Sequence, residues 1–516
     1  LQVLRLASVD VDTIDPQKAL FPPEVAAVMR VFSGLLTLDA NGHPLPEAAA
    51  ELPSMSADGL LYTFKLRTGL KYSDGQPLTA KHFEYSWKRL CDPSVASEYA
   101  PIAYVIVGCE DYNSAELKKI NADELKKLRA AVGVRAVDDL TLEFKLRERA
   151  SYFLAIAASW VGVPAREDMV TQGGDQWTEP ATYIGNGPFI LKEWAHAVKL
   201  VYRANPNYHR GKPPLERIEV SLINDTAVAF VAYLNNELDV INVDPNVLSQ
   251  AQGDAKLKEQ LSFQPGDCTF YLGFNVTRRP FDNVKVRRAF AQAFDKEAYV
   301  KNVLKGMGLP AEQFLPPGFP GHYKDLRTLK FDPAAAKKAL AEAGYPDSKG
   351  LPEIKLSYSA SLTAQARAEW FQTQFKANLG VEIRLDPLEA KTYQIALSRN
   401  ETTPQLFRAG WCEDYPDPQN WYSYVFDSRA TISRTGWKND AFDQMVRAAD
   451  IEPDAKKRDE LYRRAAQILV DEVPVAFHFH DVIAYLVKPW VSGVNITSLD
   501  HYFSSTTLMN IRILPH

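Results

Sequence analysis

Along "LLYTFKLRTG" apolar and polar residues alternate, with Tyr62, Phe64 and Leu66 facing one way and Thr63, Lys65 and Arg67 the other. A period of two predicts a half-buried strand. "LTLEFKLRER" at 140–149 repeats the alternation and the tetrapeptide FKLR, so the two runs are expected to pair antiparallel in one small sheet. Between them "YSDGQP" predicts a turn. Thr79 then caps a helix whose Phe83, Trp87 and Leu90 recur at i, i+4 and i+7. Upstream, "LQVLRLASVD" reads as a strand, "VDTIDPQKALFPPEV" as a turn-rich loop and "EVAAVMRVFSGLL" as a helix.

From about residue 183 the pattern shortens into strands, "GPFILKEW", "VKLVYRAN" and "IEVSLI", followed by a helical "AVAFVAYLNNEL" and a strand "DVINVDP". One long helix is predicted over "DNVKVRRAFAQAFDKEAYV", where Val286, Ala289, Phe290, Ala293 and Phe294 form a single stripe. "FDPAAAKKALAEAGYP" carries a helix start at Asp332–Pro333 and a stop at Gly344. "IKLSYSA", "AEWFQTQFKANLG" and "VEIRLDP" give strand, helix and strand, the order of a parallel crossover. "DELYRRAAQILVDEV" is an amphipathic helix, and "VPVAFHFHDV" and the closing residues return to strands. The whole is α/β.

Composition narrows the classes. At 516 residues the chain is too long for one ordinary core, and lobes around a cleft are expected. It is 46% hydrophobic and 24% charged, which excludes a disordered or fibrous chain. A formal net charge of −5 argues against a protein that coats nucleic acid, and the basic runs "KVRR" and "DAKKRDELYRR" read as solvated helix faces. No apolar run is long enough to cross a membrane, and the N-terminus lacks a signal-peptide pattern, so any targeting peptide is expected to have been removed. Cysteines stand at 91, 109, 268 and 412 without a CxxC; they allow two disulfides or four buried thiols.

Catalytic signatures are missing: there is no HExxH, GxxxxGK[ST] or GxSxG. His478 and His480 in "HFH" would share one face of a strand and could hold a metal, but no third ligand is nearby, so ordinary strand histidines are the simpler reading. The acids of "GWCEDYPDP" at 410–418 could serve hydrolysis, although acids beside prolines more often form turns. No cofactor is implied.

Several ordered stretches, "YSDGQPLTAKHFEYSWKRL", "NGPFILKEW", "YRANPNYH", "PFDNVKVRRAFAQAFDKEAYV", "AKKALAEAGYP" and "GWCEDYPDP", resemble the periplasmic oligopeptide-binding proteins of ATP-driven (ABC) peptide importers and their dipeptide, nickel and murein-peptide relatives. The resemblance runs from about residue 10 to the C-terminus. It implies a periplasmic-binding-protein-like, two-lobed hinged fold with an extra inserted domain, three domains in all. Domain I would comprise 1–32, 165–267 and 481–516, domain II 33–164, and domain III 268–480. The implied protein is a non-enzymatic, monomeric, periplasmic or otherwise extracytoplasmic receptor, compatible with a lipid anchor. Its partners would be short peptides and a membrane permease with transmembrane and ATPase subunits.

The resemblance also implies a site. Asp414 would meet the peptide's α-ammonium, and breaking such a pair, if buried, costs about 3–5 kcal/mol. Cys268 and Cys412 would form a disulfide, while Cys91 and Cys109 have no counterpart and could be bridged or free. Tyr99, Tyr271 and Trp411 would border the ligand. Arg399 and Arg408 match two site arginines, Arg408 suiting a C-terminal carboxylate. The chain departs from the pattern elsewhere. Ala364 and Leu304 stand where a histidine and a lysine hold the carboxylate, Ala390 replaces a tryptophan, Leu20 a glutamate, and His478 a tyrosine. The ammonium end is thus kept and the far end rewritten, which favours short peptides. The alternatives are a related receptor for a murein peptide, metal chelate or sugar, and a hydrolase using cleft acids.

Overall fold

The computed structural model describes residues 2–39, 42–398, 401–430, 432, 434–494 and 505–516. The chain divides into two compact units, Leu1–Gln264 with Ala484–His516, and Pro265–Ile483. The strands Leu261–Phe274 and Val475–Val487 carry the chain from one unit to the other.

In the first unit the strand Val3–Ser8 lies between parallel neighbours, Arg217–Leu222 and Val240–Val243. Lys199–Ala204 and Phe189–Ala195 continue that sheet antiparallel, and Ala484–Val487 closes its other side. A separate sheet joins Leu61–Lys65 to Thr141–Lys145 antiparallel, so the two FKLR runs are partners. Its inward side chains Phe64, Leu142 and Phe144 are fully buried, as are Phe83, Trp87 and Leu90 of the helix Ala80–Leu90. Cys91, which ends that helix, is bonded to Cys109, which begins another, Cys109–Asn113. The bridge left open by the sequence is therefore present.

In the second unit Ile354–Ser359 and Ile383–Leu388 are parallel and joined by the helix Leu362–Leu379. Ile354–Ser359 also pairs with Leu406–Cys412, which runs antiparallel to Leu261–Phe274. Leu272, Phe274, Leu356 and Leu406 from these strands meet Phe290, Phe294, Phe371 and Phe375 from the helices in one core. Fully burying each such side chain contributes about 1.5–3 kcal/mol.

Two expectations need correction. The stripe from Val286 to Phe294 is buried throughout, but the predicted long helix is two, Val284–Gln292 and Lys296–Asn302. Asp295 breaks it by capping the second, its carboxylate accepting the Ala298 N–H at 2.9 Å. The helix expected through Leu36 is Pro22–Val31, and Phe32 is already extended (φ −121°, ψ 156°). By contrast Asp332 caps Pro333–Glu342 as the sequence indicates, and Gly344 takes the left-handed φ of +95° that favours glycine.

Candidate functional site

Leu406–Cys412 and Leu261–Phe274 pair residue for residue, Cys412 opposite Cys268, Ala409 opposite Tyr271 and Arg408 opposite Leu272. The Cys268–Cys412 disulfide closes the end of this ladder with a Cα separation of 4.0 Å. Beyond it the chain turns. Asp417 caps the short helix Pro418–Trp421 and pairs with Arg458 at 2.6 Å, so this acid of "GWCEDYPDP" is structural.

Asp414 is held by a fully buried asparagine. Asn420 accepts the Asp414 N–H at 3.0 Å through Oδ1 and donates from Nδ2 to the Asp414 carboxylate at 3.1 Å. The same Oδ1 accepts the Trp411 indole N–H at 3.3 Å, and Trp411 packs against Tyr424. Trp411, Cys412 and Asp414 are thus set by one short turn. The half-buried Asp414 carboxylate adds to burial in pushing the Tyr424 hydroxyl up to about 12.

Three more acids crowd the disulfide. Glu413 is 9% exposed, and among the described residues its Oε2 has no hydrogen-bond partner. Burial pushes its carboxyl well up, and the charges of Asp267 and Asp414 push the same way. Asp481 accepts the Cys268 N–H at 2.8 Å, and burial, with Asp267 in support, raises it to about 7. A Cβ at Gly266 would lie 2.1 Å from the Asp481 carboxylate, so glycine there leaves room for the acid. Sulfur and carboxylate atoms of Asp267, Cys268 and Cys412 gather within 4.8 Å, the one such group among the described residues. Both sulfurs are spent in the disulfide, so the trio offers no thiolate to a metal.

Strand alternation separates the remaining candidates. Tyr271 and Trp411 share one face with Ala409, whereas Arg408 lies on the other with Leu272 and Leu406. Tyr271 is buried against Phe314. Burial lowers the pKa of the Arg408 guanidinium, and the neighbouring Arg367 charge acts in the same sense. His478 is 2% exposed, packed on Tyr299 at 3.9 Å between ring centres, and burial drives it towards the neutral form. His480 bonds Thr269 Oγ1 through Nδ1 at 2.7 Å, and among the described residues neither histidine of "HFH" joins a group of three possible metal ligands. Tyr99 belongs to the first unit, where its ring meets Trp160 edge-on at 5.0 Å. Arg399 lies outside the described residues.

Asn420, Asp267, Asp481 and Arg367 escaped the sequence reading. Asn420 looks like a turn residue, and the other three gain their neighbours from distant segments.

The second unit thus gathers acids around the Cys268–Cys412 disulfide and sets Arg408 near Arg367. The chain belongs to the bacterial extracellular solute-binding proteins, family 5, whose middle-region description matches residues 43–432. It is 32% identical to the oligopeptide-binding protein OppA of Bacillus subtilis over 91% of this chain and 84% of that one. It is equally 32% identical to the periplasmic oligopeptide-binding protein OppA of Salmonella typhimurium, over 94% and 88%. Its fold matches the unliganded open form of the periplasmic murein tripeptide-binding protein MppA with a TM-score of 0.85 at 28% identity, covering 100% of this chain and 98% of that one. Among the described residues no helix is long and apolar enough to cross a membrane.

Proposed function

We propose that this protein is an extracytoplasmic receptor that captures short peptides and delivers them to an ABC permease. The peptide main chain would add as an extra strand, which gives affinity without reading side chains. Its α-ammonium would sit at Asp414, and Arg408, with Arg399, would take the carboxylate end. The observation that carries this reading is the Asp414 carboxylate, oriented by Asn420 beside Asp267, Glu413 and Asp481. A cluster of acids at partial burial favours a cation, and an ammonium with three N–H donors matches it. The names of the two oligopeptide-binding relatives support the same ligand class. Tyr99, Tyr271, Trp411 and His478 are proposed as its neighbours. The division into 1–32 with 165–267 and 481–516, 33–164, and 268–480, hinged capture by a monomer, and periplasmic residence belong to the same proposal.

Mass spectrometry of material released from the purified protein by denaturation tests it. Intact short peptides with free N-termini support the receptor. A single sugar, chelate or other non-peptide mass overturns it in favour of a different solute, and peptides consumed on incubation would point to hydrolysis.

A further inference from the structure

The apolar face of the sheet in Pro265–Ile483 ends in a charge. Leu406 lies in the core, and two residues on, facing the same way, comes Arg408. Gly410 follows on that face, and a Cβ there would approach Phe270 to 2.7 Å, so the Phe270 ring lies over the strand beside Arg408. Phe479 stacks on Phe270 with ring centres 4.7 Å apart. The guanidinium of Arg367 stands 5.9 Å from the centre of the Phe479 ring. Arg367 arrives from the helix Leu362–Leu379, next to Ala368 and one turn before Phe371, both core residues. A strand and a helix therefore bring two guanidinium groups near one another, that of Arg367 over the Phe479 ring.

Among the described residues, neither guanidinium makes a hydrogen bond or an ion pair. Two buried polar groups beside them are also without a hydrogen-bond partner there, the Tyr299 hydroxyl and His478 Nε2. Tyr299 is 0% exposed, with its ring centre 5.8 Å from that of Phe479 and 3.9 Å from that of His478. The charges of both arginines reach Tyr299 and His478. Unpaired buried polar groups and two like charges are costly unless a ligand joins them, and an anion suits the charges. A lone carboxylate would neutralise one of the two guanidinium groups.

We propose that Arg367 and Arg408, with the Tyr299 hydroxyl, form a site for a doubly anionic ligand end. On the peptide reading, on which this rests, the preferred ligands are peptides whose last residue is acidic, so that an α-carboxylate and a side-chain carboxylate each meet a guanidinium. Arg367 is then the specificity-determining residue. It stands one helical turn from Ala364, on the same side of the helix.

Calorimetry with Ala-Ala-Glu and its neutral twin Ala-Ala-Gln tests this, together with thermal shifts by glutarate against acetate at equal ionic strength. The Glu-ended peptide should bind about tenfold tighter, as one extra charge-assisted pair allows. Arg367→Gln should bring the two peptides to about the same affinity and should abolish the glutarate shift. Tyr299→Phe, which deletes one oxygen and keeps the ring packing, should narrow the same preference. Equal affinities in the unaltered protein would overturn the proposal and leave the peptide reading standing. Glutarate stabilisation that needs Arg367, with no peptide bound at all, would uphold the anion site and overturn the peptide reading. No response to either probe would overturn both.

Discussion

Asp414→Asn is the sharpest perturbation of the proposed ammonium site. It replaces one carboxylate oxygen by an NH2 group of the same size. Asn420 donates from Nδ2 to one Asp414 oxygen, and the amide oxygen of the variant can still accept that bond, so the turn should survive. What is lost is the charge. A hydrogen bond to a charged group contributes about 1.5–3 kcal/mol, which is roughly 10- to 150-fold in Kd. The lower end applies here for two reasons. Asp414 is half-buried, so water screens it, and Asp267 remains to attract the ligand. The 3–5 kcal/mol expected of a buried pair is therefore too large, and a loss of about 10- to 30-fold is expected for a free peptide. Blocking the peptide's amine by acetylation removes the other half of the pair and should cost a similar factor. Calorimetry on the four combinations closes a cycle: Asp414→Asn should weaken the acetylated peptide less than about threefold, leaving a coupling of at least about 0.7 kcal/mol. If the substitution weakens acetylated and free peptides by the same factor, Asp414 does not meet the ammonium and the reasoning fails.

The two disulfides should differ in worth. Cys268–Cys412 spans 144 residues and Cys91–Cys109 spans 18. By chain entropy these contribute about 5 and about 3 kcal/mol, so the Cys268→Ser/Cys412→Ser protein should melt below the Cys91→Ser/Cys109→Ser protein in calorimetric scans; the reverse order would contradict the entropic account. Asp481 has a folded pKa of about 7, above its unfolded value, so between roughly pH 4 and pH 7 the folded state keeps a proton that the unfolded state has lost. This group therefore stabilises the fold at acidic pH, and that contribution fades as pH rises through about 7; Asp481→Asn should flatten the fall in Tm over this window, and an unchanged profile would refute the assignment. Asn420→Ala strips partners from the Asp414 N–H and the Trp411 indole, and should lower stability by about 1–3 kcal/mol in urea denaturation while weakening peptide binding; a variant that binds normally would remove Asn420 from the site.

What the sequence showed, and what it hid, follows from the distance between partners. The FKLR strands, the capped helix Pro333–Glu342 and the parallel pair around Leu362–Leu379 were legible because their causes are local: a period, a cap or a crossover order. The break at Asp295 was hidden because the apolar stripe continues through it and periodicity outweighs a single capping residue. In "GWCEDYPDP" all the acids look like turn formers, yet only Asp417 behaves as one. Glu413 is carried inside because its N–H bonds the Asp267 carbonyl at 3.1 Å, which prolongs the ladder past the disulfide. In "LTAQARAEWF" Arg367 reads as a surface arginine on a helix; its ring partner Phe479 is 112 residues further along the chain. The basic end could not have been composed from the sequence, because Arg408, Arg367, Tyr299 and His478 come from four separate elements. A resemblance carries over only positions that a family already uses: it marked Arg399 and Arg408, but at Ala364 and Leu304 it finds side chains that cannot hold a carboxylate. Replacement charge therefore has to be sought among residues that no motif marks, and Arg367, over the Phe479 ring, is where folding places it.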